Sequence, residues 1–332
     1  MTDKWVAITG CNGYIGGQTV LKFKDLGFKV IGCDRNNTLS PWMRDHIDVP
    51  IPGDFTSGLF TTAVQSKDPD AVVHIAGTSL VGPSMMDPAT YYINNVGSTA
   101  KLMKSLSEKG WKKTFIFSSS AATYGNPVGV NMLTEESPTI PISPYGQSKL
   151  MAEQVIRDCS RAYGFKSVAL RYFNACGADA MVRHGQVKQA THVIARLMES
   201  LISGGVFTLN GKDYDTADGT CVRDYLHVED IARAHVDAML IAKEFKDPFQ
   251  EFNLGTGKGY SIREIIDAVE RITGKTVLVH TGPRREGDPA TLIASPQKFK
   301  NWSGWSAENS KLENIVRTSW AWYNSRRYQD YA

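Results

Sequence analysis

Tyr145 and Lys149 are spaced so that the pair could carry acid–base chemistry. They open and close the segment Tyr-Gly-Gln-Ser-Lys, directly after Pro144, a residue suited to the first turn of a helix. Side chains four residues apart share one helix face. A phenol with its ordinary pKa of about 10 is a poor base at neutral pH. A neighbouring ammonium or an oxidised nicotinamide would lower that pKa. The alternative is that the two side chains lie on an ordinary solvent-exposed helix face and take no part in chemistry.

A glycine-rich turn near the start of the chain is typical of dinucleotide binding. Gly10, Gly13 and Gly16 are spaced G-x-x-G-x-x-G between an apolar strand and a helical pattern. Such glycines permit a tight turn and close approach of the backbone to a pyrophosphate. Asp34 ends the next strand, where it can accept hydrogen bonds from the adenosine ribose and repel a 2′-phosphate. This favours NAD over NADP, although Arg35 could instead hold that phosphate.

The surrounding sequence predicts a parallel sheet that positions these residues. Strands are predicted at 4–9, 28–34, 71–77, 113–120 and 167–174, with a helix at 16–27. Apolar strands alternating with helices indicate a sheet covered on both faces, and right-handed connections make it doubly wound. We therefore expect an α/β fold with a Rossmann-type sheet and a smaller mixed α/β lobe.

The alternation of strands and helices breaks after about residue 175. We expect residues 1–175 to form the NAD-binding domain, including the helix that carries the tyrosine and the lysine. Residues 176–332 should form the substrate lobe, interleaved with the sheet and not cleanly separate from it.

Composition excludes several other classes of protein. The chain has 332 residues, 42% of them hydrophobic, and a net charge of +3, which gives no argument for nucleic acid or a membrane surface. Its five cysteines are scattered without a C-x-x-C pair, which predicts reduced thiols in a cytoplasmic protein. The histidines lack metal-ligand spacing, so no metal is expected.

An apolar strand follows the first residues directly, and no run approaches the ~18 apolar residues of a membrane span, so neither a signal peptide nor a span is expected.

Longer segments carry a resemblance to a known family. They read, in order, HIAG, YYINNVGST, FIFSSSAATYG, SPYGQSKLMAEQ, RYFNACGA, DGTCVRDYLHVEDIA, FNLGTGKGYS and PRREGDPA. With the glycine turn, they resemble the UDP-glucose (UDP-galactose) 4-epimerases of the extended short-chain dehydrogenase/reductase superfamily. The resemblance covers nearly the whole chain. It implies a tightly bound NAD that is not consumed, a UDP-sugar substrate, and a homodimer formed through the tyrosine helix and the helix before it.

The resemblance also assigns roles to individual residues. The catalytic residues are Tyr145, Lys149 and Ser120, with Ser120 helping to pass the sugar 4-hydroxyl proton to the tyrosine. The sequence alone does not choose among Ser118, Ser119 and Ser120. The implied cofactor contacts are Gly10, Gly13, Tyr14, Ile15, Gly16, Asp34, Arg35, Asp54, Phe55, Ile75, Ala76, Asn95, Ser118, Tyr145, Lys149, Tyr172 and Phe173. The implied substrate contacts are Ser120, Asn174, His192, Phe207, Arg223, Tyr225, Arg285, Asp288 and Leu292.

Two positions bear on cofactor contact and substrate range. The family often has a lysine shortly after HIAG, where this chain has Thr78 and Ser79, so one cofactor contact is missing or replaced. Leu292 matches the gate to the family's sugar pocket. A tyrosine there goes with UDP-glucose and UDP-galactose alone, and a smaller residue leaves room for an N-acetyl group. Leu292 therefore suggests that N-acetylated sugars are also accepted.

Rival functions on the same fold are less consistent with the sequence. Sugar-nucleotide 4,6-dehydratases typically carry Asp-Glu directly after the catalytic Ser or Thr, and this chain has Ala121 and Ala122 there. A decarboxylase or another epimerase of the superfamily remains an alternative. Non-catalytic NAD-binding regulators usually lose the tyrosine or the lysine, and this chain keeps both.

Overall fold

The fold is built on a parallel sheet covered by helices on both faces. The computed structural model describes residues 3–35, 41–127, 132–187, 191–284 and 288–330. The strands are β1 (Trp5–Thr9), β2 (Lys29–Asp34), β3 (Val49–Pro52), β4 (Ala71–His74), β5 (Thr114–Ser120), β6 (Lys166–Tyr172), β7 (Asn174–Cys176), β8 (Phe207–Asn210), β9 (Val222–His227), β10 (Phe249–Leu254), β11 (Gly259–Ser261), β12 (Val279–Gly282) and β13 (Thr291–Leu292).

The helices fill the connections between these strands. They are α1 (Tyr14–Asp25), α2 (Pro41–Arg44), α3 (Leu59–Lys67), α4 (Val81–Met86), α5 (Pro88–Tyr91), α6 (Ser98–Glu108), α7 (Pro144–Tyr163), α8 (Val193–Ser203), α9 (Val228–Ile241), α10 (Ile262–Thr273), α11 (Gln297–Ser303), α12 (Leu312–Tyr323) and α13 (Arg326–Asp330). A π-helical stretch, Tyr92–Gly97, joins α5 to α6, and 3-10 turns lie at Ala121–Thr123 and Ala242–Glu244.

The main sheet has the strand order β10-β6-β5-β4-β1-β2-β3, and every neighbouring pair is parallel. This confirms the predicted doubly wound, Rossmann-type fold. The order reverses between β1 and β4, and ligands of such sheets bind in the crevice at the carboxyl ends of the strands at that point. The glycine turn follows β1 and the HIAG turn follows β4, so both lie at this crevice.

Apolar side chains alternate between the two faces of the sheet and fix which helices cover it. On one face, α3, α6 and α7 pack against Phe115, Phe117 and Ala169. On the other face, α1 and α9 pack against Val6 and Ile116. Because successive residues of a strand point to opposite faces, the side chain that follows Phe117 by two residues also faces α7.

The chain after residue 175 returns to the main sheet. Strand β10 pairs with β6 at the sheet edge, and α9 packs on α1. The remaining strands lie outside the main sheet. Strand β9 pairs with β7, β11 and β13, while β12 pairs with β8. The division of the chain into two domains at residue 175 stays a prediction.

Four histidines are buried in neutral form, which predicts acid sensitivity. Burial lowers the pKa of His74 to about 3 and the pKa values of His184, His227 and His235 to about 4. In the unfolded chain a histidine has a pKa of about 6.5. Between about pH 6.5 and about pH 4 the unfolded chain therefore binds more protons, and folding stability falls as the pH is lowered.

This prediction can be checked by urea unfolding across that pH range. We expect the free energy of unfolding to fall steadily from pH 7 to pH 4.5, with the four histidines contributing together. The exposed His280, which lies outside this buried set, serves as the control for replacing a histidine by glutamine. A free energy of unfolding that stays constant down to pH 5 would contradict the prediction.

Candidate active site

The glycine turn leaves the N-terminus of α1 open to an anion. Gly10 has a φ of +73°, and a Cβ there would lie 2.8 Å from the amide nitrogen of Ala76. A Cβ on Gly16 would lie 1.9 Å from the carbonyl oxygen of Gly10. Gly13 occupies the N-cap position, and among the described residues no side chain caps the helix there. Free amide groups and the helix dipole both favour an anion, so the turn fits the pyrophosphate of a dinucleotide.

Asp34 is held beside the glycine turn, at the end of β2. The backbone amide of Asn12 donates to its Oδ2 at 3.0 Å, and the carboxylate is half-buried. Arg35 follows it and is exposed. The carboxylate thus stands at the carboxyl end of the strand next to β1, where ribose hydroxyls could donate to it.

The predicted adenine and pyrophosphate contacts lie around the same crevice. The backbone amides of Ile75 and Ala76 donate to the carbonyl oxygen of Thr9 at 3.3 and 3.2 Å, which holds the HIAG turn against the glycine turn. Asp54 is half-buried, whereas Phe55 is buried in the core on the α3 and α6 face. The Phe55 side chain therefore packs inside the core.

Asn95 links the segment after the HIAG turn to helix α7. Its Oδ1 accepts from the amide of Thr78 at 2.8 Å, and its Nδ2 donates to Oγ of Ser148 on α7 at 2.9 Å. Close by, the Tyr91 hydroxyl donates at 2.8 Å to the carbonyl oxygen of Leu80, a residue with a φ of +89°. These bonds fix the segment from Thr78 to Leu80, which includes the two residues that follow the HIAG turn.

Helix α7 begins where the sequence predicts and carries the acid–base pair. Ser143 occupies its N-cap position and accepts from the amide of Gly146 at 3.2 Å, and Pro144 is the first helical residue. Both features are typical of a stable helix start. Tyr145 therefore lies in the first turn and Lys149 one turn later, on the same face.

The structure selects one serine as the partner of the tyrosine. The side chain of Ser120 lies next to the Tyr145 phenol and lowers its pKa. Lys149 donates from Nζ to the backbone carbonyl of Ser118 at 2.7 Å, and this Nζ lies 6.0 Å from the centre of the Tyr145 ring. The side chain of Ser118 instead lies near the Tyr172 phenol and lowers its pKa. Tyr145, Ser120 and Lys149 are thus brought together at the carboxyl end of β5.

The electrostatics of this pair differ from the sequence-based expectation. Burial raises the pKa of Tyr145, and the neighbouring Ser120 side chain only partly offsets it. Burial also lowers the pKa of Lys149 to about 8, while the negative charge of Glu153 raises it. The ammonium donates to the Ser118 carbonyl, and burial remains the largest influence on the pKa of Tyr145. A further positive charge beside the phenol is needed.

The residues predicted to hold a diphosphate form an ordered group on β9 and the segment before β13. Arg223 pairs through Nη2 with Oδ1 of Asp288 at 2.7 Å, and its Nη1 donates to the carbonyl of Val222 at 2.7 Å. Asn174, on the neighbouring strand β7, donates to a backbone carbonyl of β9 at 3.0 Å. Arg285 lies outside the described residues.

Leu292 lies next to this group, because it pairs in register with Arg223. It is half-buried and packs against a small cluster that includes Phe173 and Leu133. Tyr172 faces the other way. It lies in the core on the α9 face, and its hydroxyl bonds Nε2 of His235.

The other predicted substrate residues lie deeper in the second half of the chain. Phe207 and Tyr225 are each 3% exposed and belong to one core cluster. His192 is half-buried, bonds the side chain of Gln186 through Nδ1 at 2.6 Å, and lies 6.3 Å from the Tyr14 ring between centres. Ile15, next to Tyr14, is half-buried against the main core.

Sequence reasoning missed three residues that support the site. Tyr91 holds the strained Leu80 and packs edge-on against Tyr145, with ring centres 6.3 Å apart. Glu153 and Arg171 form a buried ion pair beside Lys149. The position of Glu153 could have been predicted from its spacing, because it follows Lys149 by one helical turn on the same face. A carboxylate buried at that position requires a partner.

The described part of the chain contains neither a metal-binding cluster nor a membrane-spanning helix. No cluster of three or more histidine, cysteine, aspartate or glutamate side chains is placed to bind a metal ion there. In the same residues, no helix is both long and apolar enough to cross a membrane.

Comparison with known proteins shows which family the chain resembles in sequence and in structure. The sequence model of the NAD dependent epimerase/dehydratase family matches residues 6–255. The chain is 39% identical to the UDP-glucose 4-epimerase of Halalkalibacterium halodurans, over 96% of this chain and 95% of that protein.

Solved structures are similar over the same extent. The UDP-glucose 4-epimerase of Brucella ovis in complex with NAD has a TM-score of 0.90 at 38% identity, covering 96% of this chain and 98% of that one. The UDP-Glc/GlcNAc 4-epimerase of Campylobacter jejuni has a TM-score of 0.81 at 35% identity, covering 96% of this chain and 99% of that one.

Proposed function

The chain belongs to the NAD dependent epimerase/dehydratase family, and from that premise we propose that it is a UDP-hexose 4-epimerase that interconverts UDP-glucose and UDP-galactose with bound NAD. The observation that carries the proposal is the group of Tyr145, Ser120 and Lys149 at the sheet crevice. A phenol next to a hydroxyl, with an ammonium one turn away, suits removal of a proton from a sugar alcohol.

Different residues of the chain bind the cofactor and transfer the proton. The turn of Gly10 to Gly16, with Asp34, holds the dinucleotide, and the acidic Asp34 favours NAD. NAD held there would supply the hydride acceptor and donor for C4 of the sugar, so that inversion at C4 needs no external oxidant or reductant. Tyr145 removes the 4-hydroxyl proton through Ser120 and gives it back at the end.

Substrate binding must leave the sugar free to present either face. In our proposal Arg223, with Asp288 fixing its guanidinium, grips the diphosphate through the planar fork of its donors. The nucleotide is then held while the sugar turns about its link to the diphosphate. Elimination of water is not expected, because Ala121 and Ala122 supply no acid–base pair.

The proposal is tested by incubating the purified protein with UDP-galactose, with no NAD added, and separating the products by chromatography. We expect UDP-glucose, because the net reaction is redox-neutral and the NAD stays bound. A 4-keto-6-deoxy product would point to a dehydratase. Absence of any product from a preparation that contains bound NAD would overturn the proposal.

We also propose that Leu292 leaves room for an N-acetyl group, so that UDP-N-acetylglucosamine and UDP-N-acetylgalactosamine are interconverted as well. Its half-buried position beside Phe173 supports this. Leu292→Tyr is expected to abolish turnover of the N-acetylated sugars and to spare UDP-galactose, measured as kcat/KM for both substrates. Equal activity of the variant on both substrates would contradict the role as a gate. Parallel loss of both activities would indicate misfolding.

A homodimer and a cytoplasmic location complete the proposal. The π-helical stretch before α6 and helix α7 expose apolar side chains next to each other in the fold, with Ile93 at 66% and Met151 at 41% exposure. The five cysteines are free thiols, as a reducing compartment requires. Light scattering that gives the mass of one chain, 36.6 kDa, would reject the dimer.

A further inference from the structure

A buried ion pair lies directly behind the proposed catalytic residues. Arg171 donates to Glu153 through two bonds, Nε to Oε1 at 2.9 Å and Nη2 to Oε2 at 2.6 Å. The two side chains are 4% and 2% exposed. Arg171 is satisfied further by the hydroxyl of Tyr124 at 2.9 Å, which in turn donates to Asn253 at 2.7 Å. Each of the three guanidinium nitrogens therefore donates to a buried partner.

Stability alone is a weak reason to bury such a pair. Removing two charges from water costs about as much as their attraction returns, and apolar replacements are often neutral or stabilising. A buried pair does, however, impose one geometry on the elements that carry it. Here those elements are α7, which carries Glu153, and β6, which carries Arg171.

The pair is also bonded to the strand that ends at the catalytic serine. Ser119 donates from Oγ to Oε1 of Glu153 at 2.5 Å. Ser119 is the register partner of Arg171 on the adjacent strand, so the two side chains reach the same carboxylate from neighbouring strands. One turn earlier on α7, Lys149 bonds the backbone carbonyl of the preceding residue of β5. Two successive turns of α7 are thus tied to β5 next to Ser120.

Glu153 is also the acidic group that faces Lys149. The charged or titratable groups around this ammonium are Tyr145 and Glu153 on α7, His74 on β4, and Arg171 on β6 beyond the carboxylate. Burial of His74 lowers its pKa to about 3, so this imidazole is neutral. Glu153 raises the pKa of Lys149 and thus counteracts the effect of burial.

We propose that Glu153 is a positioning residue of the reaction: its carboxylate, held by Arg171, ties the tyrosine helix to β5 through Ser119 and supplies the negative charge that faces Lys149. This inference rests on the proposed function for its kinetic consequences. It assigns Glu153 two separable effects, a mechanical one through Ser119 and an electrostatic one on Lys149.

Two substitutions separate these effects. Ser119→Ala removes the tie and keeps the charge, so kcat should fall severalfold while the pH profile keeps its position. Glu153→Gln keeps the shape and an acceptor but removes the charge. The alkaline limb of kcat, where Lys149 loses its proton, should then move down by roughly one pH unit. KM for UDP-galactose should change little in either variant.

A direct readout on Lys149 makes the test independent of activity. The Nζ resonance of this lysine, followed by ¹⁵N NMR in the NAD-bound protein, should titrate at lower pH in Glu153→Gln than in the parent protein. If Glu153→Gln does not fold, Glu153→Gln/Arg171→Gln removes both charges. It should show a shift in the same direction but smaller, because Arg171 lies farther from Lys149 than the carboxylate does.

The matched control is Glu251→Gln, which removes a second ion pair of α7, between Arg157 and Glu251 at 3.1 Å, two turns beyond Lys149. It should leave both the pH limb and the Lys149 titration in place. A Glu153→Gln variant with parental values of both would overturn the electrostatic part. A Ser119→Ala variant with full kcat would overturn the mechanical part. If the parent protein has no epimerase activity but the Lys149 titration shifts as expected, only the proposed function fails.

Discussion

Replacing Tyr145 with phenylalanine is expected to lower kcat for UDP-galactose by about 10²–10⁴-fold, the usual contribution of a positioned general base. The substitution removes only the hydroxyl that lies next to Ser120 and leaves the ring that packs edge-on against Tyr91. Folding and retention of NAD should therefore be preserved, and KM should change little. Rates are measured by product chromatography, and bound NAD by absorbance after denaturation.

A matched control lies on the same helix. Tyr163→Phe makes the identical change at the last residue of α7, far from Ser120, and should leave kcat unchanged. Near-normal turnover by Tyr145→Phe would contradict the role of the phenol as base. Loss of turnover together with loss of bound NAD would show that the hydroxyl serves binding and not proton transfer.

Replacing Gly16 with alanine is expected to abolish retention of NAD. The new Cβ would lie 1.9 Å from the carbonyl oxygen of Gly10, a backbone atom that cannot yield as a flexible side chain does. The turn must open, and the amides that face the pyrophosphate then lose their arrangement. The purified variant should carry little NAD and show no epimerisation without added cofactor, while the main sheet remains folded.

Gly27→Ala is the control for backbone strain alone. Gly27 has a φ of +79°, and a Cβ there would meet no described atom within 4 Å. This variant should lose some stability, because a non-glycine residue in that conformation is strained, but it should retain its NAD. A Gly16→Ala variant that copurifies with a full complement of NAD would contradict the assignment of the turn.

Much of the main sheet could be predicted from the sequence because its strands are apolar throughout and separated by helices. Strand β3 was missed. It contains Pro50 and Pro52, which break the ordinary strand pattern and are tolerated only because β3 lies at the sheet edge. The short strands β11 and β13 were also missed, since two or three residues give no recognisable period and their pairing joins distant segments.

The glycine turn, Asp34 and the spacing of Tyr145 and Lys149 were readable because each motif is local. The choice among three serines was not, because it depends on which side of β5 each side chain faces. Ser119 points to α7 with Phe117, and Ser120 reaches Tyr145 at the strand end. The direction of the Tyr145 pKa could not be predicted either, because burial of the ring has no signature in the sequence.

The measurement that tests the central claim most directly uses UDP-galactose carrying deuterium at C4, incubated with the purified protein in ordinary water and without added NAD. The account predicts UDP-glucose that keeps its deuterium at C4, because a hydrogen transferred as hydride stays bound to carbon and does not exchange with water, while only the hydroxyl proton passes through Ser120 and Tyr145. UDP-glucose that has lost the label to water, or no UDP-glucose from protein with bound NAD, would contradict it.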